Sequence, residues 1–129
     1  MIKNISNLGD AAIYCDFGSE VNRQVNHEVI KYFNTLKNKK IKGITNLAPS
    51  YNKLIITFDL EITNYKELIK KIHNLKLDDI NESVSKKNFV PICIDEEFAL
   101  DVDRVSKKTN LSFKEIYKNI LNKEFYCYM

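Results

Sequence analysis

KLIITFDL, residues 53–60, sets Leu54, Ile56, Phe58 and Leu60 on one side of an extended chain and polar or mixed residues on the other. A two-residue period is that of a pleated strand with one face turned to a core. Just upstream, Pro49-Ser50-Tyr51-Asn52 is a turn signal, and Ile44 to Ala48 supplies the partner strand, so 44–60 reads as a hairpin. Further back, AAIYCDF (11–17) repeats the alternation with Ala11, Ile13, Cys15 and Phe17 on one face. Gly18 interrupts it, and Ser19 offers an N-cap oxygen. Val21, Val25, Val29, Tyr32, Phe33 and Leu36 then recur at intervals of three and four, predicting an amphipathic helix from Glu20 to Lys37.

Downstream of the hairpin, Asn64 and Glu67 have capping-box spacing, and Tyr65, Leu68, Ile69, Ile72 and Leu75 make a second helical stripe. Asp78 to Lys87 is polar and reads as a loop. NFVPICID (88–95) is then expected to be a fourth strand, placed at an edge because Pro91 has no N–H for the ladder. The order β-α-β-β-α-β predicts an α+β fold, a ferredoxin-like antiparallel sheet with two helices on one face, over residues 1–95.

Residues 96–129 change character. Two short helices are expected, Asp101 to Thr109 and Phe113 to Lys123, the second opened by a capping box from Ser112 to Glu115 and burying Phe113, Ile116 and Ile120. Phe125-Tyr126-Cys127-Tyr128-Met129 has strand preference, with no turn or second strand after it. The expectation is a helical extension followed by the first strand of a truncated second domain.

The composition limits function more than it reveals it. At 129 residues with 44% hydrophobic content, the chain can bury a core. The net charge of +3, from 20 basic and 17 acidic residues, gives little reason to expect nucleic-acid binding. Cys15, Cys93 and Cys127 lie far apart without a CxxC pair, so reduced thiols in a cytosol are expected rather than a disulfide framework or zinc site. No run approaches the roughly 18 apolar residues of a membrane span. With glycine only at 9, 18 and 43, no phosphate-cradling loop is present, and GxSxG, HExxH and GxGxxG are absent. His73 falls on the edge of the second helix's apolar stripe and His27 on the polar side of the first helix, with no second histidine or acid pattern to support chemistry. Asp95, Glu96, Glu97, Asp101 and Asp103 lack the spacing of a calcium loop, and Asp101 is placed to cap a helix. Lys37, Lys39 and Lys40 suit a helix C-terminus better than a phosphate. These residues thus give no catalytic or metal-binding set; residues that bind a cofactor are left undetermined.

Three stretches in order resemble one family. GDAAIYCDFGSEVNRQVN, APSYNKLIITFD and VPICIDEEFALDVDRVSKKTNLSFKEI are similar to successive segments of the KipI family, also known as the B-type subunit of 5-oxoprolinase or allophanate hydrolase subunit 1. Pro49, Tyr51, Leu54, Phe58 and Asp59, and then Pro91, Cys93, Glu97 and Asp101, occupy matching places. The resemblance implies that Glu124, Phe125, Cys127 and Tyr128 form the strand leading into a cyclophilin-like barrel. It also implies a non-autonomous subunit of an ATP-dependent hydrolase that opens 5-oxoproline or acts on allophanate. The partner would be a paralogous barrel-bearing subunit, ATP would enter only in the assembled complex, and homo-oligomers are possible. The alternative is a non-catalytic module that inhibits a sensor histidine kinase. This chain departs from the family pattern at Ile120, where the family has a histidine, and at Ile94, Asp95, Glu96, Ala99 and Leu100, where glycines and other motif residues are lost.

Overall fold

A computed structural model describes residues 1–78 and 87–128. The polar loop expected at 78–87 lies almost wholly outside the described residues. Two compact units emerge, the first holding residues 1–78 and Tyr128, the second residues 87–127.

The first unit is built on a four-stranded antiparallel sheet: β1 (Asn4–Asn7), β2 (Ala12–Asp16), β3 (Ile44–Pro49) and β4 (Lys53–Phe58), in the spatial order β1-β2-β4-β3. The alternation seen in the sequence is what is buried. Ile13, Cys15 and Phe17 from the β2 region and Leu54, Ile56 and Phe58 from β4 point into one core. Helix α1 (Arg23–Lys39) covers them with Val29 and Leu36, and α2 (Tyr65–His73) with Leu68 and Ile72. Each such side chain contributes about 1.5–3 kcal/mol by leaving water.

Several expectations need correction. The fourth strand does not come from NFVPICID, which has no regular structure. Its place beside β2 is taken by β1, with Ile5 opposite Cys15 and Asn7 opposite Ile13. An N-terminal strand is nearer in sequence to β2, so its pairing closes a shorter loop. Helix α1 starts at Arg23 rather than Glu20, because Asn22 Oδ1, not Ser19, accepts from the Val25 N–H at 2.9 Å. That leaves Val21 outside the helix and 54% exposed. Leu60 lies beyond the end of β4, in a turn, and is exposed. At α2, Asn64 Oδ1 accepts from Glu67 N–H as expected, while the Glu67 carboxylate accepts from Thr63 Oγ1.

The second unit contains a 3-10 turn at Glu96–Phe98 and helices α3 (Val102–Thr109) and α4 (Phe113–Leu121). The Ser112–Glu115 capping box is fully formed. Asp101 precedes α3 but makes no side-chain cap; its carboxylate accepts from Arg104 Nε at 3.0 Å. Neither helix buries a residue, so the expected burial of Phe113, Ile116 and Ile120 is not achieved: the first two are half-buried and Ile120 is exposed. Glu124 to Tyr128 form no strand. Without a neighbouring strand to complete its ladder, an extended segment has no reason to be pleated. Met129 is outside the described residues.

Candidate functional site

At the end of β2 the chain turns sharply through Phe17 and Gly18. Gly18 has φ +117, a conformation that glycine adopts without penalty, and its N–H donates to Asp16 Oδ1 at 2.6 Å. Lys53 faces Asp16 across the β2–β4 ladder and donates both to Asp16 Oδ1 and to the Gly18 carbonyl, each at 2.5 Å. The Lys53 bond, followed by that from Gly18, holds the Asp16 carboxyl below its ordinary range. This arrangement fixes the path of the chain into α1.

One turn into α1, Asn26 is buried on the core side of the helix. Its Nδ2 lies within hydrogen-bond distance of the Ser50, Tyr51 and Tyr128 carbonyls, at 3.3, 3.2 and 2.9 Å. The Tyr51 and Tyr128 rings meet edge to face, centroids 6.2 Å apart. A buried amide thus joins α1, the β3–β4 turn and the last described residue. The signal was present in the sequence: an asparagine sits between Val25 and Val29 in an otherwise apolar stripe, where only a satisfied amide is tolerated.

The remaining candidates are not brought together. His27 and His73 are both exposed, one on each helix. Cys15 is fully buried, and burial pushes its thiol up to about 12, which suppresses the nucleophilic thiolate. Cys93 is exposed with its Sγ 3.5 Å from Asp95 Oδ2, and Cys127 is exposed. Among the described residues, no three His, Cys, Asp or Glu side chains are grouped to hold a metal ion. Ile120, expected from the resemblance to stand where the family has a histidine, is 38% exposed.

What the two units do present is surface. The C-terminal ends of α1 and α2 border a depression of about 510 Å3 lined by Lys39, Lys70, Lys71 and Lys76. On the second unit, Phe89, Val90, Phe98, Leu100, Leu121 and Phe125 all expose more than half of their area. Isolated apolar residues are normal on a surface; this density on a small unit is not. No described helix is long and apolar enough to cross a membrane.

The described residues therefore define an α+β protein whose notable features are surfaces rather than a reaction centre. The chain belongs to the family described as carboxyltransferase domain, subdomain C and D, whose model matches residues 3–129. It is 27% identical over 137 residues to the B-type subunit of 5-oxoprolinase from Bacillus subtilis (strain 168), an alignment covering 97% of this chain and 57% of that protein. The chain thus spans little more than half the length of this curated relative. Among solved structures, TTHA0988 matches with a TM-score of 0.64 at 19% identity, over 83% of this chain and 20% of that one. The urea amidolyase of K. lactis matches with a TM-score of 0.57 at 15% identity, over 91% of this chain and 8% of that one. At such identities the two structures show a shared fold.

Proposed function

We propose that this chain is a non-autonomous subunit of an ATP-dependent amide-ring hydrolase of the 5-oxoprolinase type, acting in the cytoplasm mainly through assembly. The observation that carries the reading is the second unit, in which two well-patterned helices bury no residue while large apolar side chains face outward. An amphipathic helix draws most of its stability from packing its apolar face, so these helices need a neighbour. The occupant proposed is a β-barrel of the cyclophilin-like kind, on a paralogous subunit or on further polypeptide. The likeness to the Bacillus subtilis 5-oxoprolinase component supports the assignment of substrate class.

ATP does not fit the residues described. The lysine-lined depression attracts anions, but it lies at helix C-termini, whose dipoles oppose a phosphate, and no glycine-rich backbone cradle adjoins it. ATP is accordingly assigned to a separate subunit, where phosphorylation of the lactam oxygen would create a leaving group before water attacks. No step is assigned to a described residue of this chain.

Co-expression with a barrel-bearing partner subunit and the ATP-using subunit tests the proposal, followed by measurement of 5-oxoproline-dependent ATP hydrolysis. The expected result is a stable complex, with turnover absent for this chain alone and present in the assembly. A stable complex with a histidine kinase in place of these subunits would instead support the inhibitor reading. Failure to bind any barrel-bearing subunit would overturn the assembly role.

A further inference from the structure

The β3 edge of the first unit's sheet carries a further surface. Strand β3 is an edge strand of six residues, so one row of its backbone N–H and C=O groups points away from the sheet. Beside it runs a groove of about 570 Å3 between β3 and the end of α1. Phe33, Ile41 and Leu47 give it an apolar floor, and Lys37, Lys40 and Lys42 a basic rim. None of the three lysines forms an ion pair with a described residue. Asp59 bonds Gly43 through its backbone but turns its carboxylate to the Glu61 N–H. The helix dipole accounts for Lys37 in the last turn of α1, whereas Lys40 and Lys42 lie beyond the helix.

We infer that β3 and this groove form a docking site for an extended segment of a protein partner that carries aliphatic and acidic residues on the same face. The segment adds a strand to β3: its main chain bonds the edge that no described strand pairs, and of the side chains that face the groove the aliphatic ones enter it and the acidic ones meet the three lysines. Each feature selects this occupant over others. A nucleic acid would use the lysines but leave the apolar floor and the strand edge unmatched. A second copy of this chain paired through β3 would bring three more lysines against the first three, a like-charge arrangement that costs energy. The inference stands apart from the proposed hydrolase activity and is tested on this chain alone.

The probe is a fluorescein-labelled octapeptide of glutamate and valine in alternating pairs (EEVVEEVV), which puts both residue types on each face of a strand, with the lysine counterpart KKVVKKVV as its charge control. Saturable binding of the acidic peptide is expected, with amide protection from hydrogen exchange at Ile44 to Ala48. The variant K37E/K40E/K42E should weaken binding at least tenfold, while K66E/K107E/K114E, with the same change in net charge at exposed sites elsewhere, should not. Circular dichroism of each variant confirms folding. The inference is overturned if binding is absent, if the two triple variants weaken it equally, if residues 44–48 gain no protection, or if duplex RNA displaces the peptide with higher affinity. Concentration-dependent dimerisation blocked by the same three substitutions would also overturn it, in favour of self-pairing.

Discussion

Lys53 Nζ sits 2.5 Å from Asp16 Oδ1, joining two residues directly opposite each other on adjacent antiparallel strands. Both side chains are mostly covered, with 22% and 32% of their area exposed. The folded state therefore favours the Asp16 carboxylate, and its pKa lies below the ordinary value. For such a group, the stabilisation is fully present above the unfolded carboxylate pKa and is lost as pH falls through the lower, folded value. The pair is partly solvated, so about 1 kcal/mol or less is at stake. In Lys53→Met, the urea midpoint should fall at neutral pH and the difference from wild type should shrink as the medium is acidified. An unchanged gap across that range would show that the methionine acts through packing alone.

Asn26 is the next point of leverage, because a single buried amide serves carbonyls from positions 50, 51 and 128. Asn26→Ala removes the donor and should cost about 1–3 kcal/mol, the range for leaving buried polar groups short of a partner. Asn26→Asp keeps the volume but offers only acceptors when ionised, so it should destabilise more at neutral pH than in acid. Chemical denaturation at two pH values distinguishes the two variants. Carboxypeptidase digestion adds an independent readout: removing the Tyr128 tether should speed trimming of the residues before it.

Much of the first unit was legible because burial there follows a simple period. Leu54, Ile56 and Phe58 alternate in sequence and are buried together, as are Ile13, Cys15 and Phe17. The N-terminal strand was missed because NISN shows no strong alternation; its place is set by pairing with β2, a tertiary effect. NFVPICID failed for the converse reason. Its composition suits a strand, but local preference cannot supply the partner that completes the ladder. The candidate surfaces were harder still to read. Lys37, Lys39 and Lys40 were visible as a helix-end cluster, yet only the fold brings Lys39 near Lys70, Lys71 and Lys76, some thirty residues later. The capping box at Ser112, a wholly local motif, was read correctly.

Gly43 shows how little room the β3 entry allows. Its φ is +95, and a Cβ placed there would lie 2.5 Å from Thr63 Cγ2. Strain from the backbone and the steric overlap act together, so Gly43→Ala should lose about 1–3 kcal/mol or more. Cutting Thr63 back to serine removes the clashing methyl but not the strained φ. The double variant Gly43→Ala/Thr63→Ser should therefore recover part of the loss, measured as a non-additive double-mutant cycle. Strict additivity would mean that the two sites do not touch.

The cysteines give a final prediction that joins reactivity to stability. Cys93 and Cys127 are exposed, whereas Cys15 lies in the core between Ile13 and Phe17 with its thiol pushed up to about 12 by desolvation. A thiol reagent at mild alkaline pH should modify the first two rapidly and Cys15 only at the rate of unfolding. The same shift predicts a pH effect of opposite sign to that at Asp16. In the unfolded chain the Cys15 thiol ionises at about 8.5, while in the fold it stays protonated, so alkaline conditions favour the unfolded state. Wild-type stability should decline by up to about 1.4 kcal/mol per pH unit above that value, beyond the decline shared by other groups. Cys15→Ala should be less stable at neutral pH, by the cavity it leaves, and should lose this extra alkaline slope. Denaturation curves at neutral and alkaline pH, run on both proteins, separate the cavity term from the ionisation term; parallel slopes would show that Cys15 ionises as readily folded as unfolded.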